Sequence, residues 1–282
     1  MENPAEKYVA VEGINIRYIV SGSGTPTLLL HGFGEFLEVW WFNIGALSQH
    51  FQVYAMDLPG HGLSDKPKID YGLAFANECA TGFMRALGIE RANLIGHSMG
   101  GVVALSIAIN FPEKVDKLIL VDSGGLSGET PLLYRLCTLP LLGEILVEPT
   151  IKVGLRHGIE RAFYNPDLIT EEMVDKNYEF MRMRGAKKAM LSILRSNADI
   201  TGPHPEVVMT DKLHLVKSPT LFIHGAQDEV VPVEQAKNAS RLVPNARLEV
   251  VKKCGHCPHI EKAQEFNKTA IAFLKSDEPK GG

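Results

Sequence analysis

The chain has 282 residues, 45% of them hydrophobic and 22% charged, a balance expected of a soluble globular protein with a sizeable core. A formal net charge of −4 supplies no basic footprint and argues against a nucleic-acid partner. No apolar run approaches the ~18 residues of a membrane helix, and the charged N-terminus lacks the apolar stretch of a secretory signal. The expectation is a cytoplasmic protein with no membrane partner.

In chain order, Tyr8–Glu12 and Ile14–Val20 read as an antiparallel hairpin turning at Glu12-Gly13. A turn cluster, Ser21-Gly22-Ser23-Gly24-Thr25-Pro26, precedes the short buried-type strand Thr27–Leu30, which runs into His31-Gly32-Phe33-Gly34. A helix is expected over Leu37–His50, then a strand over Phe51–Met56 ending in Asp57-Leu58-Pro59-Gly60-His61-Gly62. Apolar residues at helical spacing from Leu73 to Leu87 predict a helix closed by Gly88. Next come an apolar strand up to Gly96, a helix from Met99 to Ile109 stopped before Pro112, and the buried run Leu118–Val121.

Strands alternating with helices imply a mostly parallel sheet covered on both faces. After Asp122 the rhythm breaks. Residues 124–210 read as helical with scattered prolines and no clear strand, an insertion between core segments 1–123 and 211–282. The alternation then resumes with strand Thr220–His224, helix Val233–Leu242, strand Arg247–Val251 and helix Ile260–Leu274.

The segment Gly96-His97-Ser98-Met99-Gly100 carries the chemistry. A G-x-S-x-G turn between strand and helix is so sharp that the serine is strained and lifts its Oγ above the sheet edge. Larger side chains in place of Gly96 and Gly100 would collide as strand and helix close up. The helix that follows aims its free N–H groups and positive dipole end at Ser98. A serine hydroxyl is a poor nucleophile at neutral pH, so it needs a base and a group that orients the base. His256 suits the base, since it follows a strand and precedes the final helix, over the same sheet edge as Ser98. His259, three residues on, reads as a surface-packing or capping residue.

Asp228, just beyond strand Thr220–His224, is the preferred acid; Asp122 after the preceding strand is its rival and Glu229 a lesser alternative. Attack on a carbonyl creates an oxyanion that needs N–H donors. Met99 N–H supplies one and Phe33 N–H the second, with neighbouring glycines letting backbone approach substrate. His31, His97, Asp57 and His61 read as loop-fixing residues, and no metal site is expected among them. Cys254-Gly255-His256-Cys257 spells a CxxC, but it lies in a loop near the chain's end with no second pair, which argues against redox or zinc chemistry.

Taken together, His31-Gly32-Phe33-Gly34, Asp57-Leu58-Pro59-Gly60-His61-Gly62-Leu63-Ser64, Gly96-His97-Ser98-Met99-Gly100-Gly101, His224-Gly225-Ala226-Gln227-Asp228 and Gly255-His256 resemble the α/β-hydrolase superfamily. The resemblance implies an eight-stranded, mostly parallel sheet, a helical cap over the site, and a Ser98–Asp228–His256 triad working without a cofactor. Serine at the elbow departs from haloalkane dehalogenases and epoxide hydrolases, which carry aspartate there.

Within the superfamily the chain is similar to carboxylesterases and to meta-cleavage product (carbon–carbon bond) hydrolases. The latter usually have asparagine where His97 stands and a cap arginine near the place of Asn177-Tyr178, with Arg182 or Arg184 as stand-ins. Their usual aromatic after the histidine is Cys257 here. The first expectation is a serine carboxylesterase acting on small-molecule esters of short to medium acyl length through an acyl-enzyme, as a monomer or homodimer. The alternatives are carbon–carbon hydrolysis of a dienoate and a ligand receptor that keeps the fold. The leucine-rich run Pro131–Leu142 is expected to cover the site or pack against the core.

Overall fold

The computed structural model describes residues 5–147 and 152–276. Strands β1 (Lys7–Val11), β2 (Ile14–Ser21), β3 (Pro26–Leu30), β4 (Gln52–Met56), β5 (Ala92–His97) and β6 (Val115–Val121) form the first part of the sheet. Helices α1 (Trp41–Leu47), α2 (Leu73–Ala86) and α3 (Met99–Asn110) lie between them. The segment after β6 contributes α4 (Leu132–Cys137), α5 (Leu142–Leu146), α6 (Lys152–Glu160), α7 (Glu171–Met181), α8 (Ala186–Asn197) and the two-residue pair β7 (Ala198–Asp199) and β8 (Gly202–Pro203). The chain closes with β9 (Thr220–Gly225), α9 (Val233–Ala239), β10 (Ala246–Val251), α10 (Pro258–Glu261) and α11 (Ala263–Lys275).

Eight strands form one sheet in the order β1-β2-β4-β3-β5-β6-β9-β10. The β1–β2 and β2–β4 pairs are antiparallel and the other five are parallel. The central parallel strands are mostly apolar because alternate residues feed opposite faces, whereas edge strand β10 carries Arg247 and Glu249. Leu28, Leu30 and Leu94 join Phe83, Leu105 and Phe222 on the side of α2 and α3. Leu29, Ile95 and Ile119 join Trp40, Ile44 and Phe266 on the side of α1 and α11. Both faces are thus sealed, and the loops at the strands' C-terminal ends remain for a site.

Three local expectations are revised. The helix expected over Leu37–His50 opens as a 3-10 turn (Leu37–Trp40) before α1. The last helix breaks at Lys262, whose φ of −128° and ψ of 42° are not helical. The 124–210 segment does contain a strand pair, β7–β8, whose reversal is built by Asp199 accepting from Thr201 N and by Gly202 at φ 148°. Among the described residues no helix is long and apolar enough to cross a membrane.

A buried ion cluster fixes the loops near the site. Arg17 on β2 pairs with Asp57 at 3.1 Å and with Glu38 at 2.7 Å. Asp57 also accepts from the Leu37 N–H at 2.7 Å and the Leu63 N–H at 2.8 Å. Removing Arg17 would strand two buried carboxylates. Arg17→Met should cost about 3–5 kcal/mol, read from the urea midpoint at unchanged slope.

Candidate active site

Strand β5 ends at His97, and the chain turns into α3 through Ser98, held at φ 51° and ψ −114°. That is a strained conformation for a residue with a Cβ. The surroundings enforce it. A Cβ on Gly96 would strike the Gly100 carbonyl, and one on Gly100 would strike the Leu30 carbonyl, so close approach of α3 to β5 and β3 demands glycine at both places. The turn is pinned by Ser98 N–H to Val121 O at 2.9 Å, and Ser98 O accepts from Gly101, Val102 and Gly124 N–H groups.

His256 lies in the loop after β10, buried, with Nδ1 2.7 Å from Asp228 Oδ2. A carboxylate only accepts, so Nδ1 carries the proton and Nε2 keeps its lone pair, the tautomer a general base needs. Asp228 Oδ1 accepts from Val230 N–H at 2.7 Å and Val231 N–H at 2.9 Å. Burial alone would raise the Asp228 carboxyl, but hydrogen bonds from His224 and His256 hold it well below the usual carboxylate range. For His256 burial dominates over the Asp228 contact and moves the imidazole below 6.5. Its main chain is fixed from two sides: His256 N–H donates to Ala162 O at 2.7 Å, and His97 Nε2 donates to His256 O at 2.8 Å.

Ser98 and His256 line one cavity of about 770 Å³, walled by the sheet's C-terminal loops and by the helices that follow β6. Phe33 and Met99 line it too, and neither N–H has a hydrogen-bond partner among the described residues. Two unpaired donors beside the candidate nucleophile suit developing negative charge. Much of the lining is apolar, with Leu133, Tyr134 and Met190 among its walls, and among the described lining residues there is no lysine or arginine.

A model of the alpha/beta hydrolase fold matches residues 25–263. The chain belongs to the alpha/beta hydrolase family. An uncharacterized protein of Mycobacterium bovis is 32% identical, over 98% of this chain and 83% of its own length. The 2-hydroxy-6-oxo-6-phenylhexa-2,4-dienoate hydrolase of Comamonas testosteroni is 34% identical, over 92% of this chain and 91% of its own. A solved meta-cleavage product hydrolase from Pseudomonas fluorescens superposes with a TM-score of 0.82 at 26% identity, covering 95% of this chain and 97% of that one.

The hydrolase holds its two rival acids together. Parallel pairing of β6 with β9 brings Asp122 beside Asp228, with His224 Nε2 3.5 Å from Asp122 Oδ1 and 3.4 Å from Asp228 Oδ2. Asp122 is fully buried and accepts from Gly225 N–H at 2.9 Å. Burial first, and then the neighbouring Asp228 charge, drive its carboxyl well above the usual range. Two buried carboxylates in contact cannot both ionise, so Asp122 holds the proton and Asp228 faces the imidazole as the anion.

Other expected residues fall as follows. His31 and His61 are buried, His31 Nε2 accepting from Leu58 N–H at 2.9 Å. Burial lowers the His61 imidazole to about 3. His259 is not at the surface, as its position at a helix entrance suggested. It is fully buried, its ring centred 4.6 Å from that of Trp40 and 4.5 Å from that of His97. Glu229 makes no hydrogen bond to His256 among the described residues; Asp228 takes that place. Asn177 lines the cavity, whereas Arg182 does not and lies over the Tyr178 ring at 5.2 Å; Arg184 is also absent from the walls.

Cys254 and Cys257 are free and buried, with both thiols pushed up by burial. Two donor clusters come within 4.8 Å, Glu35-His97-Cys257 and Asp122-His224-Asp228. Their imidazoles already face protein partners, His224 Nε2 donating to Val231 O at 2.8 Å. Sequence reasoning passed over Glu35 altogether. Its signal was an acid three residues beyond Gly32, within reach of that residue's N–H.

Proposed function

We propose that this hydrolase cleaves neutral carboxylic esters with apolar acyl groups, using Ser98 as nucleophile, His256 as general base and then acid, and Asp228 as the group that holds the imidazole. Ser98 Oγ attacks the ester carbonyl while His256 Nε2 takes its proton. The oxyanion is met by the Phe33 and Met99 N–H groups. His256 returns the proton to the departing alcohol, and water then releases the acid from the acyl-enzyme by the same route. The helices of residues 124–210 serve as a cap whose leucines exclude water and select the acyl chain.

The observation that carries the ester reading is the charge of the cavity wall. A dienoate brings a carboxylate, and an unpaired buried charge costs several kcal/mol. No lysine or arginine lines the described wall, Glu129 stands on it, and the only cation there, His97, is already taken by Glu35. The Comamonas testosteroni relative is named for a dienoate, which is what favours carbon–carbon hydrolysis as the second reading. The separating experiment runs p-nitrophenyl esters from acetate to decanoate beside 2-hydroxy-6-oxo-6-phenylhexa-2,4-dienoate. The expected result is kcat/KM at least about tenfold higher for the best ester, equivalent to ~1.4 kcal/mol. Faster bleaching of the dienoate would replace the first reading by the second.

The pH dependence follows from His256. The base must be neutral to act, and burial lowers its pKa below 6.5. The acid limb of kcat/KM therefore falls below pH 6.5, with one-proton slope, and activity persists above it. A limb centred above pH 7 would contradict this environment.

A further inference from the structure

The chemistry assigned to Ser98, His256 and Asp228 leaves one charged pair unused, a buried His97 and a partly exposed Glu35 on the cavity wall. His97, the residue before the elbow serine, is 1% exposed, and both its ring nitrogens meet acceptors. Nδ1 lies 2.9 Å from Glu35 Oε2 and Nε2 lies 2.8 Å from the His256 carbonyl. The carbonyl can only accept, so Nε2 carries a proton. Glu35 Oε2 also accepts from the Gly32 N–H at 2.6 Å, and an oxygen taking two donors is that of a carboxylate. One proton lies between Nδ1 and Oε2, and the imidazole is the stronger base, so the pair is imidazolium–carboxylate, in line with the lowered Glu35 carboxyl and the raised His97 ring.

Three pieces of the site meet there. Glu35 holds the N–H of Gly32, whose neighbour Phe33 offers a free N–H to the cavity. His97 adjoins Ser98 in the chain and grips the backbone of His256. A Cβ on Gly32 would meet Glu35 Oε2 at 2.8 Å, so the loop closes on the carboxylate with no room to spare. On the far side, the neutral ring of His259 lies between His97 and Trp40.

We propose that Glu35 and His97 form an ion-paired strut that sets the loop carrying Phe33 in register with the loop carrying His256, making both positioning residues for ester cleavage. This rests on the Ser98–His256 reading. The physical reason is geometric: a donor or base displaced by about 1 Å can cost ~10²-fold in rate. The strut also bears on the base electrostatically. The rings of His97 and His256 are centred 4.8 Å apart, so a cation at His97 opposes protonation of His256. Other titratable groups facing the pair are His259, Cys257 and, farther off, Asp228, His31 and Tyr134. Burial would lower His97, yet the Glu35 contact raises it, in keeping with a charged ring at neutral pH.

The test uses p-nitrophenyl butanoate with Glu35→Ala, Glu35→Gln, His97→Gln and the Ser98→Ala control, together with nitrogen NMR of histidine-labelled parent protein. Glu35→Ala should lower kcat about 100-fold while KM moves less than about threefold. Glu35→Gln, which still accepts from Gly32 and still reaches His97, should recover kcat to within about tenfold of the parent. His97→Gln removes the cation beside the base, so the acid limb of kcat/KM moves to higher pH. The parent at pH 8 should show one histidine with both ring nitrogens protonated, a signature lost in Glu35→Gln. A Glu35→Ala variant with parental kcat, or a loss confined to KM, overturns the strut. So does a His97 ring with one bare nitrogen at neutral pH, a readout that needs no variant to fold. Were the Ser98–His256 reading itself at fault, Ser98→Ala would turn over as fast as the parent, which separates the two failures.

Discussion

Ser98→Ala should lower kcat on short-chain p-nitrophenyl esters by about a millionfold, leaving only the residual acceleration that binding and oxyanion donors supply. The size of the effect follows from removing the group that would form the acyl-enzyme, a group the strained backbone at φ 51° singles out. The fold holds this residue in an unfavourable conformation and gives its Oγ no partner among the described residues, an arrangement without purpose unless the hydroxyl reacts. The measurement is steady-state kinetics on rigorously purified variant, with circular dichroism to show the fold is kept. Retained turnover above about 1% of the parent would move the nucleophile elsewhere.

Asp228→Asn should cost about ten-thousandfold in kcat, because an amide facing His256 Nδ1 no longer secures the tautomer in which Nε2 is free to accept. Asp122→Asn should behave otherwise. Burial and the Asp228 charge keep Asp122 uncharged, so a neutral amide of the same shape can replace it, and kcat should stay within about tenfold of the parent. The ordering of the two variants distinguishes the acids more surely than either alone. If Asp122→Asn were the more damaging, the assignment of proton and charge within this pair would be reversed.

Much of the architecture could be read from the residues, because the signals were local. Glycine spacing around Ser98 reflects collisions between backbone atoms a few residues apart, and the strand–helix alternation reflects burial of both sheet faces. Asp122 and Asp228 were harder. Seen along the chain they are competitors; only the adjacency of β6 and β9 shows that they share one environment. His259 was misjudged because periodicity places a residue on a helix but not beneath Trp40, which comes from a segment more than two hundred residues earlier. Glu35 escaped notice for a similar reason, since its partner His97 is distant in sequence. The wall of the cavity was the least legible. Whether an arginine on α7 or just after it reaches inward depends on how that helix is rotated, and Arg182 lies on Tyr178 instead.

The attachment of His256 to Ala162 has a bearing on how such an enzyme can be rebuilt. Residues 162–165 are also held by Glu261, which accepts from Tyr164 and Asn165 N–H groups with one oxygen and from Gly255 N–H with the other. The short stretch after α6 is thus part of the scaffold under the imidazole, although it belongs by sequence to the inserted helices. A chimaera that imports a foreign insertion wholesale exchanges that support along with the pocket wall. Grafts that stop short of residue 162, or bring their own match to Gly255–Glu261, can alter the pocket wall while the His256 loop keeps its footing.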